Sequence, residues 1–196
     1  MIKITIEDQA TPMLKNLMKE FPAGVVQGVN DLANNARDEF LWDLPNRMTL
    51  RTPWFKPGSM FGFNVKKATI SNPAAEIYTR APWMQLQESG GTKNPRGRHI
   101  AIPTTTVRRT KRDLIPKAQR PMGLGSKAFH LKTKSGNEFL AMRVGRGKRS
   151  NLKIMYLLSQ RAQIRPQLHF VDSIKGYVAM NAERILTRAI ERAFRK

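Results

Sequence analysis

Arg108, Arg109, Lys111 and Arg112 place four cations within five residues. Such side chains neutralise phosphates and release counterions, which gives polyanion binding without base readout. They serve equally against a carboxylate-rich protein surface, and both partners stay open at this level. No aromatic residue stands between Ile100 and Ala128, so single-strand stacking platforms are not indicated. A second class of chemistry belongs to Trp54, Phe55 and Trp83, which sit in or beside proline-rich stretches. Aromatic side chains in such places anchor protein interfaces or close over the chain's own core, and the sequence supports the two readings evenly.

Catalytic patterns are missing. The chain carries no GxSxG, Walker loop, HExxH or close pair of carboxylates in its basic half. Asp113 and Glu138 could belong to a nuclease, but nuclease metal sites need several carboxylates, and residues 93–153 offer only these two. Gly123-Leu124-Gly125 and Gly145-Arg146-Gly147 have the composition of a phosphate cradle, but read as turns between strands. His99, His130 and His169 show no metal-ligand spacing, and cysteine is absent, which excludes thiol catalysis, disulfides and cysteine-held zinc. The expectation is a protein that is not an enzyme, with no metal, no cofactor and no small-molecule ligand.

Charge dominates the composition. Thirty-five Lys or Arg against fourteen Asp or Glu give +21 over 196 residues, a balance that speaks to partners rather than to fold. It is unevenly placed. Residues 1–50 carry a net −2, whereas 93–153 hold seventeen basic residues against Asp113 and Glu138 alone. No apolar run approaches the roughly 18 residues of a membrane span, and MIKITIEDQ gives no expectation of a secretory signal.

These residues need elements to hold them. Met1–Glu7 alternates like a short strand. Leu14, Leu17, Phe21, Val25, Val29, Leu32, Ala36 and Phe40 recur at helical steps, predicting a long amphipathic helix over 12–44, or two helices bent at Pro22, opened by Thr11-Pro12 and closed by Leu44-Pro45. Residues 61–81 read as two strands around Asn72-Pro73. An edge strand is expected from Ala101 to Val107, a short helix around Asp113–Lys117, a hairpin joining Phe129–Lys132 to Glu138–Val144, and an apolar strand over Leu152–Ser159. Gly145–Ser150 reads as a basic turn. Asp172-Ser173 then caps a terminal helix with Ile174, Val178, Ala182, Ile185 and Ala189 on one face. That helix also aligns Arg184, Arg188 and Arg192 on one stripe, where like charges repel. The order predicts α+β: long N- and C-terminal helices packed on a central, mainly antiparallel sheet. A single domain over 1–196 is expected, with 45–60 and 87–98 as extended interaction loops.

One stretch brings a family into view. VKKATISNPAAEIYTR (65–80), with Lys67-Ala68-Thr69, Asn72-Pro73 and Ala75-Glu76-Ile77, lies between a long helix ending before RTPWF and a glycine-rich basic loop. In this order of elements the chain resembles the tail-completion and neck proteins of long-tailed bacteriophages, the minor tail protein Z type in particular. The resemblance implies a structural virion protein that completes the head-proximal end of the tail or the head–tail neck. It implies a ring homo-oligomer, of six-fold tail symmetry, touching tail terminator, head-closure or adaptor proteins, and it carries over no catalytic residues. A different class, a sequence-nonspecific nucleic-acid-binding protein, would account for +21 directly. Non-specific DNA contact is compatible with either reading.

Overall fold

The computed structural model describes residues 10–145 and 150–195, excepting the side chains of 10–17 and 19. The strand expected over Met1–Glu7 and most of the basic turn Gly145–Ser150 lie outside the described residues. The fold is α+β, with long first and last helices and antiparallel sheets, as the order of patterns predicts. Contacts along the chain gather into two compact units, Met1–Met84 with Leu168–Lys196, and Gln85–Gln167.

In the first unit, α1 (Ala10–Arg47) packs along α3 (Phe170–Phe194). Small residues let the two backbones approach. A Cβ added at Gly28 would lie 2.9 Å from the Leu186 Cδ2 and 3.0 Å from the Ala189 Cβ, and one at Gly24 3.0 Å from the Ile190 Cα. Beside this seam, β1 (Phe63–Lys66) pairs antiparallel with β2 (Glu76–Thr79), Phe63 opposite Thr79. Phe40, Leu44, Phe63, Ala81, Met84 and Leu168 form the core. The Phe40 ring meets those of Phe63 and Phe170 at 5.0 Å each, both edge-on, a favoured aromatic arrangement.

Asn30 ties the 67–72 turn to α1. Its side-chain amide donates to the Ala68 carbonyl at 3.1 Å, and its Oδ1 accepts from the Ala68 amide at 2.7 Å. Ala68 is buried, so truncating Asn30 strands two backbone groups away from water. Asn30→Ala should cost about 2 kcal/mol, with Asn30→Asp intermediate because it keeps only the acceptor; urea unfolding followed by far-UV circular dichroism measures both.

Three helix boundaries differ from the sequence expectation, the first being that α1 begins at Ala10, ahead of Thr11-Pro12. Pro45 does not end α1, which runs to Arg47. There the Arg47 guanidinium donates to Asp43 Oδ2 at 2.6 Å, to the Leu168 carbonyl at 2.7 Å and to Ser173 Oγ at 2.7 Å. Three acceptors fix the last turn and offset the missing proline N–H. At α3 the cap is not Asp172-Ser173. The helix starts at Phe170 behind His169, whose φ of 49° is left-handed, and Ser173 Oγ donates back to the His169 carbonyl at 2.6 Å.

The second unit is built on a four-stranded antiparallel sheet, ordered β4 (Ile100–Pro103), β7 (Asn151–Ser159), β6 (Glu138–Val144), β5 (Ala128–Lys132). The expected edge strand, ending already at Pro103, the hairpin and the apolar strand are all present, and a register shift falls at Leu140/Ala141. Val107, Leu124, Leu140, Met155 and Tyr156 form its core, and the Tyr156 hydroxyl donates to the Gln119 carbonyl at 2.7 Å. The helix expected at Asp113–Lys117 is absent. Asp113 has a φ of 58°, and 3-10 turns follow only at Lys117–Gln119 and, kinked at Gly125, at Pro121–Lys127; Pro116 supplies no N–H for a longer helix.

Segment 87–98 is more regular than a loop. It holds the end of α2 (Met84–Ser89) and β3 (Gly91–Lys93), which pairs with β8 (Ala162–Ile164). Apart from Gly90, only Asn94–Arg98 remains irregular, and it is largely exposed. Segment 45–60, by contrast, is tied down: Gly58 N–H donates to Asn64 Oδ1 at 2.7 Å, and the Asn64 amide donates to the Ser59 carbonyl at 3.1 Å. Trypsin should therefore cut after Arg96 and Arg98 before Arg51, which mass spectrometry of early digest fragments reads directly.

Candidate interaction surfaces

The basic cluster occupies a tight turn. Thr110 N–H donates to the Leu114 carbonyl at 2.9 Å and Asp113 N–H to the Thr110 carbonyl at 2.9 Å. The left-handed Asp113 closes the reversal, which puts Lys111 and Arg112 at the tip. Arg109 Nη1 meets both Asp113 carboxylate oxygens, at 2.8 and 2.9 Å. The Arg108 backbone N–H donates to Gln119 Oε1 at 2.6 Å. Among the described residues, Arg108, Lys111 and Arg112 are exposed and form no ion pair, so three of the four cations are available to a partner. Arg109 and Arg120 also lie near enough to Tyr156 to draw its phenol down, against burial, which pushes it above its ordinary value.

Around this turn the whole unit is cationic. Residues 85–167 hold nineteen Lys or Arg against Glu88, Asp113 and Glu138, a net +16, and the rest of the chain carries only +5. The two central carboxylates are paired. Asp113 binds Arg109, and Glu138 lies 3.1 Å from His99 Nε2 and 3.7 Å from Lys132 Nζ. His130 and His169 are exposed and separate, and no group of three metal-ligating side chains occurs among the described residues. Gly123-Leu124-Gly125 is a packed turn: a Cβ on Gly123 would stand 2.0 Å from the Lys117 carbonyl oxygen.

Trp54, Phe55 and Trp83 come together in the first unit. Trp54 meets Trp83 at 5.5 Å, Phe55 at 6.1 Å and Phe63 at 6.4 Å, and Trp83 meets Phe61 at 5.1 Å. Trp54 and Phe55 pack half-buried on the core, while Trp83 keeps 40% of its surface exposed. On α3, Arg184, Arg188 and Arg192 form an exposed stripe, and Arg184 donates to Asn181 Oδ1 at 2.8 Å.

Sequence reasoning missed the most exposed tryptophan. Trp42 is 75% exposed, and Met180 of α3 is 79% exposed. Both line a groove of about 460 Å³ between α1 and α3, together with Glu39, Asp43, Asp172 and Tyr177. The signal was there: Trp42 falls off the stripe that runs through Leu32, Ala36 and Phe40, and an aromatic residue off the apolar face of an amphipathic helix points to solvent. Within the groove, a hydrogen bond from Asn46 and then Arg47 hold the Asp43 carboxyl below the usual carboxylate range. A depressed folded pKa stabilises above the unfolded value and loses that contribution as pH falls through the folded one. Carbon-detected NMR titration should therefore show Asp43 protonating below the ordinary aspartate range.

No helix among the described residues is long and apolar enough to cross a membrane. Comparison with family models, curated proteins and solved structures finds no match to this chain.

Proposed function

We propose that this chain is a structural virion protein of a long-tailed bacteriophage, not an enzyme, added at the head-proximal end of the tail or at the head–tail neck. The observation that carries the reading is the division of charge, +16 in residues 85–167 against +5 in all the rest. A protein that rings a conduit for DNA needs a cationic part toward the polyanion and a separate body for subunit contacts. The helical unit, with Trp42, Met180 and Phe194 exposed on its helices, has the apolar surface such a body requires. The resemblance of 65–80 and of the order of elements to minor tail protein Z supplies the location, and with it a ring of copies that meets tail terminator and head-closure proteins. No cofactor, metal or small molecule enters this function.

The same charge favours one other reading, a sequence-nonspecific nucleic-acid-binding protein. Disrupting the gene in a phage that carries it separates the two. Under the virion reading, purified particles contain the protein, and its loss leaves heads and tails that do not join into infectious particles. Absence from purified particles, with submicromolar duplex binding and a steep salt slope, would transfer the function to nucleic-acid binding.

A further inference from the structure

The groove on the first unit has an unusual makeup. Trp42 and Met180 are the most exposed large apolar side chains near it, and Glu39, Asp43 and Asp172 are its acids. Its one cation, Arg47, is spent on Asp43, the Leu168 carbonyl and Ser173. The groove therefore offers an aromatic face beside net negative charge, in a chain whose total is +21. A guanidinium or ammonium group suits such a surface, because the tryptophan face attracts cations and the carboxylates pair with them.

Gly176 adds an independent sign. It lies in the interior of α3, one helical turn from both Asp172 and Met180, and a Cβ there would meet nothing within 4 Å. Neither a close neighbour nor a positive φ calls for glycine at this place, yet glycine in a helix interior costs about 1 kcal/mol relative to alanine. The missing side chain keeps the groove open along its α3 wall. An open wall matters to a partner, not to the fold of the unit.

We infer that this groove receives the basic turn Arg108–Arg112 of a second copy of the chain. The turn has the shape and the charge: a tight reversal with Lys111 and Arg112 at its tip and Arg108 beside them, all exposed and free of ion pairs among the described residues. The contact joins two different surfaces, so it is heterologous and propagates from copy to copy, closing a ring where the rotation allows. It rests on the ring proposed above and assigns the residues that make it. Cations of residues 85–167 outside this turn and outside the Lys132–Glu138 pair are left for DNA.

The test uses the full chain with benzoylphenylalanine replacing Trp42, an aromatic for an aromatic, in an equal mixture of isotopically light and heavy protein. Illumination between about 1 and about 100 µM, a range covering weak to moderate association, should give mixed-isotope cross-links that map to residues 104–120. Gly176→Leu, which fills open space and leaves the helix intact by circular dichroism, should lower their yield at least about tenfold. Glu39→Lys with Asp172→Lys should do the same, and mixing that chain with one carrying Lys111→Glu and Arg112→Glu should restore the cross-link. Absence of intermolecular cross-links, mapping to another segment, or indifference to Gly176→Leu would overturn the assignment. In any of those cases, incorporation of the Gly176→Leu protein into infectious particles would leave the virion reading standing while removing this interface.

Discussion

Gly28→Leu should unfold the helical unit's seam and lower stability by at least about 3 kcal/mol, the upper end of overpacking costs. The reason is geometric. Even the first added carbon would lie 3.0 Å from the Ala189 Cβ and 3.3 Å from the Leu186 Cα, and the rest of a leucine has no exit between two helices. Gly28→Ala is the informative control. It gains about 1 kcal/mol of helix propensity but presses on the Leu186 Cδ2 at 2.9 Å, the Ala189 Cβ at 3.0 Å and the Leu186 Cα at 3.3 Å, so its cost should stay well below that of the leucine variant. At about 2–4 °C per kcal/mol, the leucine variant should melt about 6–12 °C below wild type, followed by helix ellipticity. A leucine variant that melts with wild type would mean that α1 and α3 do not approach at this seam.

Neutralising the basic turn should have the largest functional effect. Replacing Arg108, Arg109, Lys111 and Arg112 with Gln leaves the fold in place. The one ion pair lost, Arg109–Asp113, joins side chains 35% and 39% exposed, and such pairs contribute about 0–1 kcal/mol. The variant should express as a folded protein and then fail in assembly, with heads and tails unjoined and the protein missing from particles. Its affinity for duplex DNA should keep nearly the wild-type salt slope, because each lost phosphate contact would lower that slope by about 0.9 and the turn is assigned to a protein groove. Normal assembly with faulty DNA retention, and a slope reduced by three or four, would instead assign these four residues to phosphates.

Much of the architecture was legible along the chain because it rests on local pattern. The apolar stripe from Val25 to Phe40 and the one from Ile174 to Ala189 are periodic over many turns, and both helices are present. Asn72-Pro73 between short alternating runs marked the β1–β2 turn, and Thr133–Asn137 marked the β5–β6 hairpin. Where distant partners act, the local rules failed. Pro45 reads as a stop, but Arg47 finds the Leu168 carbonyl and Ser173 more than a hundred residues away and holds the last turn. Asp172-Ser173 reads as a cap, but His169 takes the left-handed position behind Phe170.

The sequence by itself determined the two long helices, the main strands between them and the place of the charge, because periodicity, turn chemistry and composition are properties of neighbouring residues; α2 and the β3–β8 pair left no such pattern. It also determined what the Arg108–Arg112 cluster can bind in kind, an anionic surface, since that follows from side-chain type alone. Only the tertiary structure decided the rest. Trp54 and Phe55 pack on the core around Phe40 and Phe63, whereas Trp42 stands in solvent, and that choice depends on which helix faces another. Asp113 takes one of the four cations out of play through a turn closed by its left-handed backbone, a conformation aspartate tolerates but whose partner only the folded turn supplies. The groove of Trp42, Gly176 and Met180 exists only because α1 and α3 lie side by side, joining residues more than 130 positions apart. Burial and juxtaposition are set by packing across the whole chain, and a linear pattern carries no record of them.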